Sequence, residues 1–280
     1  MKTILIVAVI SLINSNLLSQ NRTVLRTIDS LTIIDKYKEA LYLYQNHEVK
    51  NNRIYYYNIA CLFSQLNILD SADYYIKIFM KIPSRHFDLW CDESFKNYRK
   101  TDEWLIIDSL LFKEFILETA NVKNQKLSLS IYKLGMIDQL YTGKLLKTEQ
   151  IFTNTSKIYD KVKHETDSIY NTSFLFIKRI IDSCQFWPGI TYVGIKSNHY
   201  GFLLYQHFNS NYRIEYYQYM FKAFENKEIT NLEFAKITDR VEIDKGKDQI
   251  YGTHYKKNDK NKLILFANKN LVTINKNRKK

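Results

Sequence analysis

Apolar residues recur every three or four positions from residue 23 to 48, at Leu25, Ile28, Leu31, Ile34, Tyr37, Leu41 and Tyr44. That spacing predicts an amphipathic helix. Two shorter helices follow over 55–63 and 72–80, with the turn at 67–70 between them and Pro83 as the stop. Tyr56, Ile59, Ala60 and Phe63 share one face of the first, and Ala72, Ile76 and Phe79 one face of the second. Ala60 and Ala72 are small enough to let the pair pack closely. Helical spacing continues over 104–118, and the polar break at 121–125 marks a domain boundary. Beyond it, 127–140 is helical, 142–167 is polar enough for an exposed helix or a mobile crossing segment, and 172–184 reads as a buried helix. Phe186-Trp-Pro-Gly189 breaks that run, because proline cannot continue a helix. Residues 195–208 carry His199, Leu203 and His207 along one helical face, and 212–225 forms a further helix.

The last patterned stretch carries the densest polar chemistry. Thr230-Asn-Leu-Glu233 fits a capping box. The helix it opens is expected to end near Thr238, with Asp239 at its C-terminus held by a close pair with Arg240. Residues 241–243 and 249–251 then alternate as two strands around the turn Asp244-Lys-Gly246. The fold class is therefore mainly α: helical hairpins followed by a helical domain with a small C-terminal β-hairpin. The expected domains are 1–20 (a signal peptide), 21–120 (the hairpins) and 127–280.

Composition supports this. Only 7 Gly and 2 Pro in 280 residues leave little of the punctuation that strands and hairpins need. The 22 Tyr read as compositional bias rather than as a ligand signal. Of the net charge of +12, +8 sits in residues 256–280, which leaves +4 for the other 255. A basic tail without aromatic interleaving is a solvated end, so nucleic acid is not an expected partner. Lys2 followed by the apolar run 4–13 has the layout of a secretory signal, too short to span a bilayer. Export to the periplasm or beyond is expected, with no transmembrane segment in the mature chain; an uncleaved anchor is the alternative. Of three cysteines, Cys61 lies in an apolar helical pattern, and Cys91 and Cys184 can pair only if the fold joins them. No CxxC or His/Cys cluster is present. His199 and His207 lack an intervening carboxylate and a third ligand, so neither a metal nor a cofactor is expected.

Residues 55–83 resemble the tetratricopeptide repeat in their order of aromatic, small, aromatic, Ala, bulky apolar and Pro positions. Tyr37-Lys-Glu-Ala-Leu41 resembles the second helix of an earlier copy, and 87–104 a closing segment. From about Leu127 onward the chain resembles a bacterial family catalogued as domain of unknown function 6624. The matching residues are Met136-Ile-Asp138-Gln139, Trp187-Pro188, Gly194, Gln206-His207, Asp239-Arg240, Gly246 and Gln249-Ile-Tyr-Gly-Thr253. Phe186 stands where that family usually has Gly, and His254 where it usually has Gln. No Arg follows Asp138-Gln139 in 140–143. The resemblance implies a shared fold and a shared polar set, but no activity.

Three functions compete. In the first, Asp138, Gln139, Trp187, His207, Asp239, Arg240, Gln249, Tyr251 and Thr253 line a pocket for a small anionic or polar ligand, anchored by Arg240. In the second, the protein is a hydrolase or transferase, with His207 as acid or base, Asp239 as its orienter and Arg240 as anion stabiliser. In the third, the helical hairpins bind a protein partner. If the polar residues face one another without a ligand, they form a buried network that fixes the fold.

Overall fold

The computed structural model describes residues 23–46, 53–83, 86–257, 263–265, 274 and 277–278. The signal-peptide segment, residues 1–20, lies outside them. The chain is mainly helical: α1 (23–33), α2 (Tyr37–Asn46), α3 (Arg53–Gln65), α4 (Leu69–Met80), the single turn α5 (Asp88–Cys91), α6 (Asp102–Glu118), α7 (Gln125–Phe152), α8 (Lys157–Cys184), the single turn α9 (Ile190–Val193), α10 (Ile195–Gln206), α11 (Ser210–Glu225) and α12 (Asn231–Asp244). Two short antiparallel strands follow, β1 (Tyr255–Lys257) and β2 (Leu263–Leu265), with Tyr255 opposite Leu265. No described helix is long and apolar enough to cross a membrane.

The chain groups into two compact units that interleave in sequence. One holds the residues up to 113 together with 140–166, the other 114–139 together with 167 onward. A single boundary at 121–125 therefore does not describe the grouping: α6, α7 and α8 each give residues to both units. The polar stretch 142–167 is helical except for a turn at 153–156, where Thr153 takes φ +66°. Gly143 sits inside α7, where an added Cβ would meet nothing within 4 Å, and does not interrupt the helix.

In the first unit α3 packs on α4, with Ala60, Ala72, Ile59 and Ile76 fully buried, as the hairpin pattern predicts. The segment after Pro83 tucks Phe87, Leu89, Phe95 and Tyr98 into the same unit. Asp92 fixes it by accepting from Tyr57 Oη and from the Ser94 amide.

The second unit is built around α10. Ser128 of α7 bonds Ser197, an added Cβ on Gly135 would strike Tyr200 at 2.4 Å, and Asp138 meets His207. These contacts ascend together, so α7 and α10 run side by side in the same direction, brought close by Gly135. Trp187, expected at the ligand, is instead a core residue: it is 3% exposed and its indole N–H donates to Asn198 Oδ1. Asn198 in turn donates to Glu233, which closes the capping box on Thr230 and meets His199 Nδ1 at 3.0 Å. Burial pushes the Glu233 carboxyl up, but the bonds from His199 and Thr230 outweigh it and hold its pKa below the usual value.

The C-terminal stretch departs most from expectation. Helix α12 does not stop at Thr238 but runs to Asp244, because Phe234, Ile237, Thr238 and Val241 are all buried at helical spacing. That stripe overrides the short alternation of Val241 and Ile243. Gly246, at φ +73°, is the left-handed residue that ends the helix: its amide donates to Ile243 O and that of Lys247 to Glu242 O. Residues 241–243 and 249–251 therefore form no strands, and the β-hairpin lies later, at β1 and β2.

Candidate functional site

The expected site residues divide into two groups with different partners. The first gathers on Asp239, which is fully buried in the middle of α12. Its Oδ1 accepts from the amides of Ile250 and Tyr251, both at 2.7 Å. Its Oδ2 accepts from the Thr253 amide at 2.7 Å and the Thr253 hydroxyl at 2.8 Å. Gln249 closes the loop, donating to His254 O and accepting from His254 N. The outward carbonyls are also satisfied: Asn277 donates to Ile250 O, and Arg278 to Tyr251 O and Gly252 O. Gly252, at φ +65°, passes so close to Ile274 that an added Cβ would stand 2.7 Å from it. Residues 249–254 thus have no regular secondary structure, yet their polar groups are met from both sides.

This geometry revises the roles expected for the pair Asp239-Arg240. Asp239 spends both oxygens on backbone and Thr253, so it neither pairs with Arg240 nor orients His207. Arg240, the next residue on the helix, is half-buried, and its Nε has no hydrogen-bond partner among the described residues. Burial presses its pKa down, as does the neighbouring Arg213, while Asp244 opposes them. Arg213 is the residue that pattern reading missed. Its Nε and Nη2 hold Asp244 at 2.6 and 3.0 Å, and its Nη1 donates to Gln206 O at 2.9 Å and to Phe208 O. It therefore caps the C-terminus of α10, where a cation meets unpaired carbonyls.

The second group surrounds His207, at the C-cap of α10. Its Nε2 lies 3.1 Å from both carboxylate oxygens of Asp138, with hydrogen-bond geometry to Oδ2. Asp138 is fully buried, while the His207 side chain is 21% exposed. Gln139, exposed on α7, donates its amide to the same Oδ2 at 2.9 Å. Tyr170 of α8 stacks on the imidazole, with centroids 3.7 Å apart and planes 14° apart. Nδ1 of His207 has no partner among the described residues. A buried carboxylate on one ring nitrogen fixes ring orientation and tautomer and leaves the other nitrogen to accept or deliver a proton.

Compared with known protein families, with curated proteins and with solved structures, the chain matches none.

Other features bear on the site. A cavity of about 360 Å³ is bordered by Lys123, Phe186, Trp187, Tyr192, Tyr219 and Lys222 among others, and of the nine expected ligand residues only Trp187 touches it. His199 and His207 serve different carboxylates, Glu233 and Asp138. Among the described residues no three His, Cys, Asp or Glu side chains gather as metal ligands, and Cys61, Cys91 and Cys184 form no disulfide. Tyr170 carried no signal in the sequence, because stacking depends on bringing α8 against the end of α10.

His254 adds a pH dependence. Burial lowers its pKa, and the nearby Arg240 lowers it further. A histidine depressed in the folded state contributes stability that is complete above its unfolded pKa, about 6.5, and is lost as pH falls through the folded value. Urea unfolding is therefore expected to show stability falling on acidification below about pH 6.5. His254→Gln should flatten that slope; an unchanged slope would remove His254 as its source.

Proposed function

We propose that the second unit binds a small anionic or polar ligand at the face presented by His207. The observation that carries this reading is the Asp138–His207–Tyr170 arrangement: a buried carboxylate and a stacked ring hold a partly exposed imidazole whose Nδ1 has no partner among the described residues. Burying Asp138 costs several kcal/mol unless its partners compensate. Arg240 supports an anionic ligand, since its buried Nε has no partner among the described residues and Arg213, its electrostatic neighbour, holds the carbonyls on either side of His207. Asp239, Gln249 and Thr253 belong in this reading to the framework that positions Arg240, not to the ligand shell. Resemblance of residues 127–280 to domain of unknown function 6624 supports the choice of Asp138, Gln139 and His207. Export of the chain and a tetratricopeptide-type hairpin region at 21–120 belong to the same proposal.

The Asp138–His207 pair also favours a second reading, a hydrolase or transferase in which His207 is the general base or acid and Asp138, rather than Asp239, its orienter. Thermal-shift titration with a panel of small carboxylates, phosphates and sugars tests both. His207→Gln retains a donor for Asp138, so the ligand-free protein should keep its stability to within about 1 kcal/mol. The same variant and Arg240→Gln should lose the ligand-induced shift at least tenfold in affinity, about 1.4 kcal/mol. If no compound shifts the wild-type protein, or if both variants bind as well as wild type, the site lies elsewhere. Turnover of a bound compound that disappears in Asp138→Asn with binding retained would select the enzyme reading.

A further inference from the structure

Helix α6 carries large apolar residues on two opposite sides. At about 100° per residue, Trp104, Ile107, Leu111 and Phe115 fall on one side, and all four are buried. The opposite side should be polar if it faced only water. Instead it carries Leu105, Ile106, Leu110 and Phe112, which are 63%, 64%, 50% and 48% exposed. Leu105, Ile106, Ser109, Leu110 and Lys113 also line a shallow depression formed by this helix alone. Contiguous exposed apolar surface of this kind marks an interaction site.

The charges and small residues of the face indicate what covers it. Reading along the outer stripe, Asp102 and Glu103 come first, then Ile106, then Ser109 and Leu110, then Lys113. Asp102, Glu103 and Lys113 make no ion pair among the described residues. If a second copy of the helix is laid antiparallel, with the two-fold axis between positions 107 and 108, Lys113 falls opposite Asp102 and Glu103. Ile106 then faces Ser109 and Leu110, and Leu105 faces Leu110. Each contact occurs twice, as a closed two-fold interface requires. Ser109 is small enough for close approach, and its hydroxyl already donates to Leu105 O at 2.8 Å, so covering it leaves no polar atom stranded.

We infer that two copies of this chain associate through antiparallel pairing of the outer face of α6. The partner this face fits is itself: an outer stripe whose acidic start, Asp102 and Glu103, meets Lys113 of the second copy across an apolar middle. The pairing does not depend on any ligand of the second unit. It needs only residues 102–113, all on one continuous helix.

Sedimentation velocity on the whole protein over a concentration series tests this. The expected result is a monomer–dimer equilibrium, with Ile106→Glu/Leu110→Glu monomeric throughout and its circular dichroism unchanged, since both positions are exposed. Lys113→Glu should weaken the dimer about tenfold or more by setting like charges against each other at two symmetric places. Asp102→Lys/Glu103→Lys/Lys113→Glu exchanges the signs and should restore it to within about threefold of wild type. A wild-type protein that stays monomeric to about 100 μM overturns the inference, as happens if another segment covers the face. So does a dimer that is indifferent to the Ile106→Glu/Leu110→Glu substitutions, or a sign exchange that fails to restore what Lys113→Glu removed.

Discussion

Asp239→Ala should destabilise the protein by about 3–5 kcal/mol, because it removes the acceptor of four hydrogen bonds and strands three backbone amides in a buried place. Asp239→Asn should cost nearly as much, since its amide nitrogen cannot accept from Thr253 or from the paired amides opposite it. Chemical denaturation measures the loss, and hydrogen exchange locates it. The amides of Ile250, Tyr251 and Thr253 should exchange faster by orders of magnitude in either variant, ahead of those in α10. A loss below about 0.5 kcal/mol would mean that the loop stands without its carboxylate, and Asp239 would return to the set of ligand candidates. The result therefore separates a framework role from a ligand role for the most buried acid of α12.

Arg213→Met should cost a similar amount, about 3–5 kcal/mol, for a different reason. Its side chain is 7% exposed and that of Asp244 is 10%, so removing the guanidinium leaves a carboxylate nearly out of water without a partner. It also uncaps the carbonyls of Gln206 and Phe208. The variant Arg213→Met/Asp244→Leu removes both charges and should recover a substantial part of the loss, because the stranded anion is the larger share of it. If the double variant is as unstable as the sum of the single ones, the carbonyl cap outweighs the ion pair. If Arg213→Met is tolerated to within about 1 kcal/mol, Arg213 does not hold the end of α10. On the proposed function, loosening 206–208 should also weaken binding at His207.

Much of the fold was legible because helices announce themselves locally. The period of α3 and α4, the stop near Pro83, the break at Trp187-Pro188 and the capping box of α12 depend on residues within a few positions of each other. The sequence marks Gly246 as the turn of a hairpin, whereas the buried Phe234–Ile237–Val241 stripe makes it a helix terminus. The same stripe moved Asp239 from the end of a helix to its middle, and with that its expected pairing with Arg240 disappeared.

The sequence by itself determined the helical class and most of the helix positions, and it singled out 239–254, His207 and Arg240, with Asp138 added by the resemblance, as candidates. Tertiary structure decided who meets whom. Asp138 and His207 are 69 positions apart, Arg213 and Asp244 are 31 apart, and Asp239 reaches amides up to 14 residues downstream. It also decided that Trp187 is packed in the core and that the outer face of α6 is left uncovered. The reason is physical: backbone periodicity and capping act within a turn or two, whereas a side chain's partner is set by which distant segments the buried apolar stripes draw together.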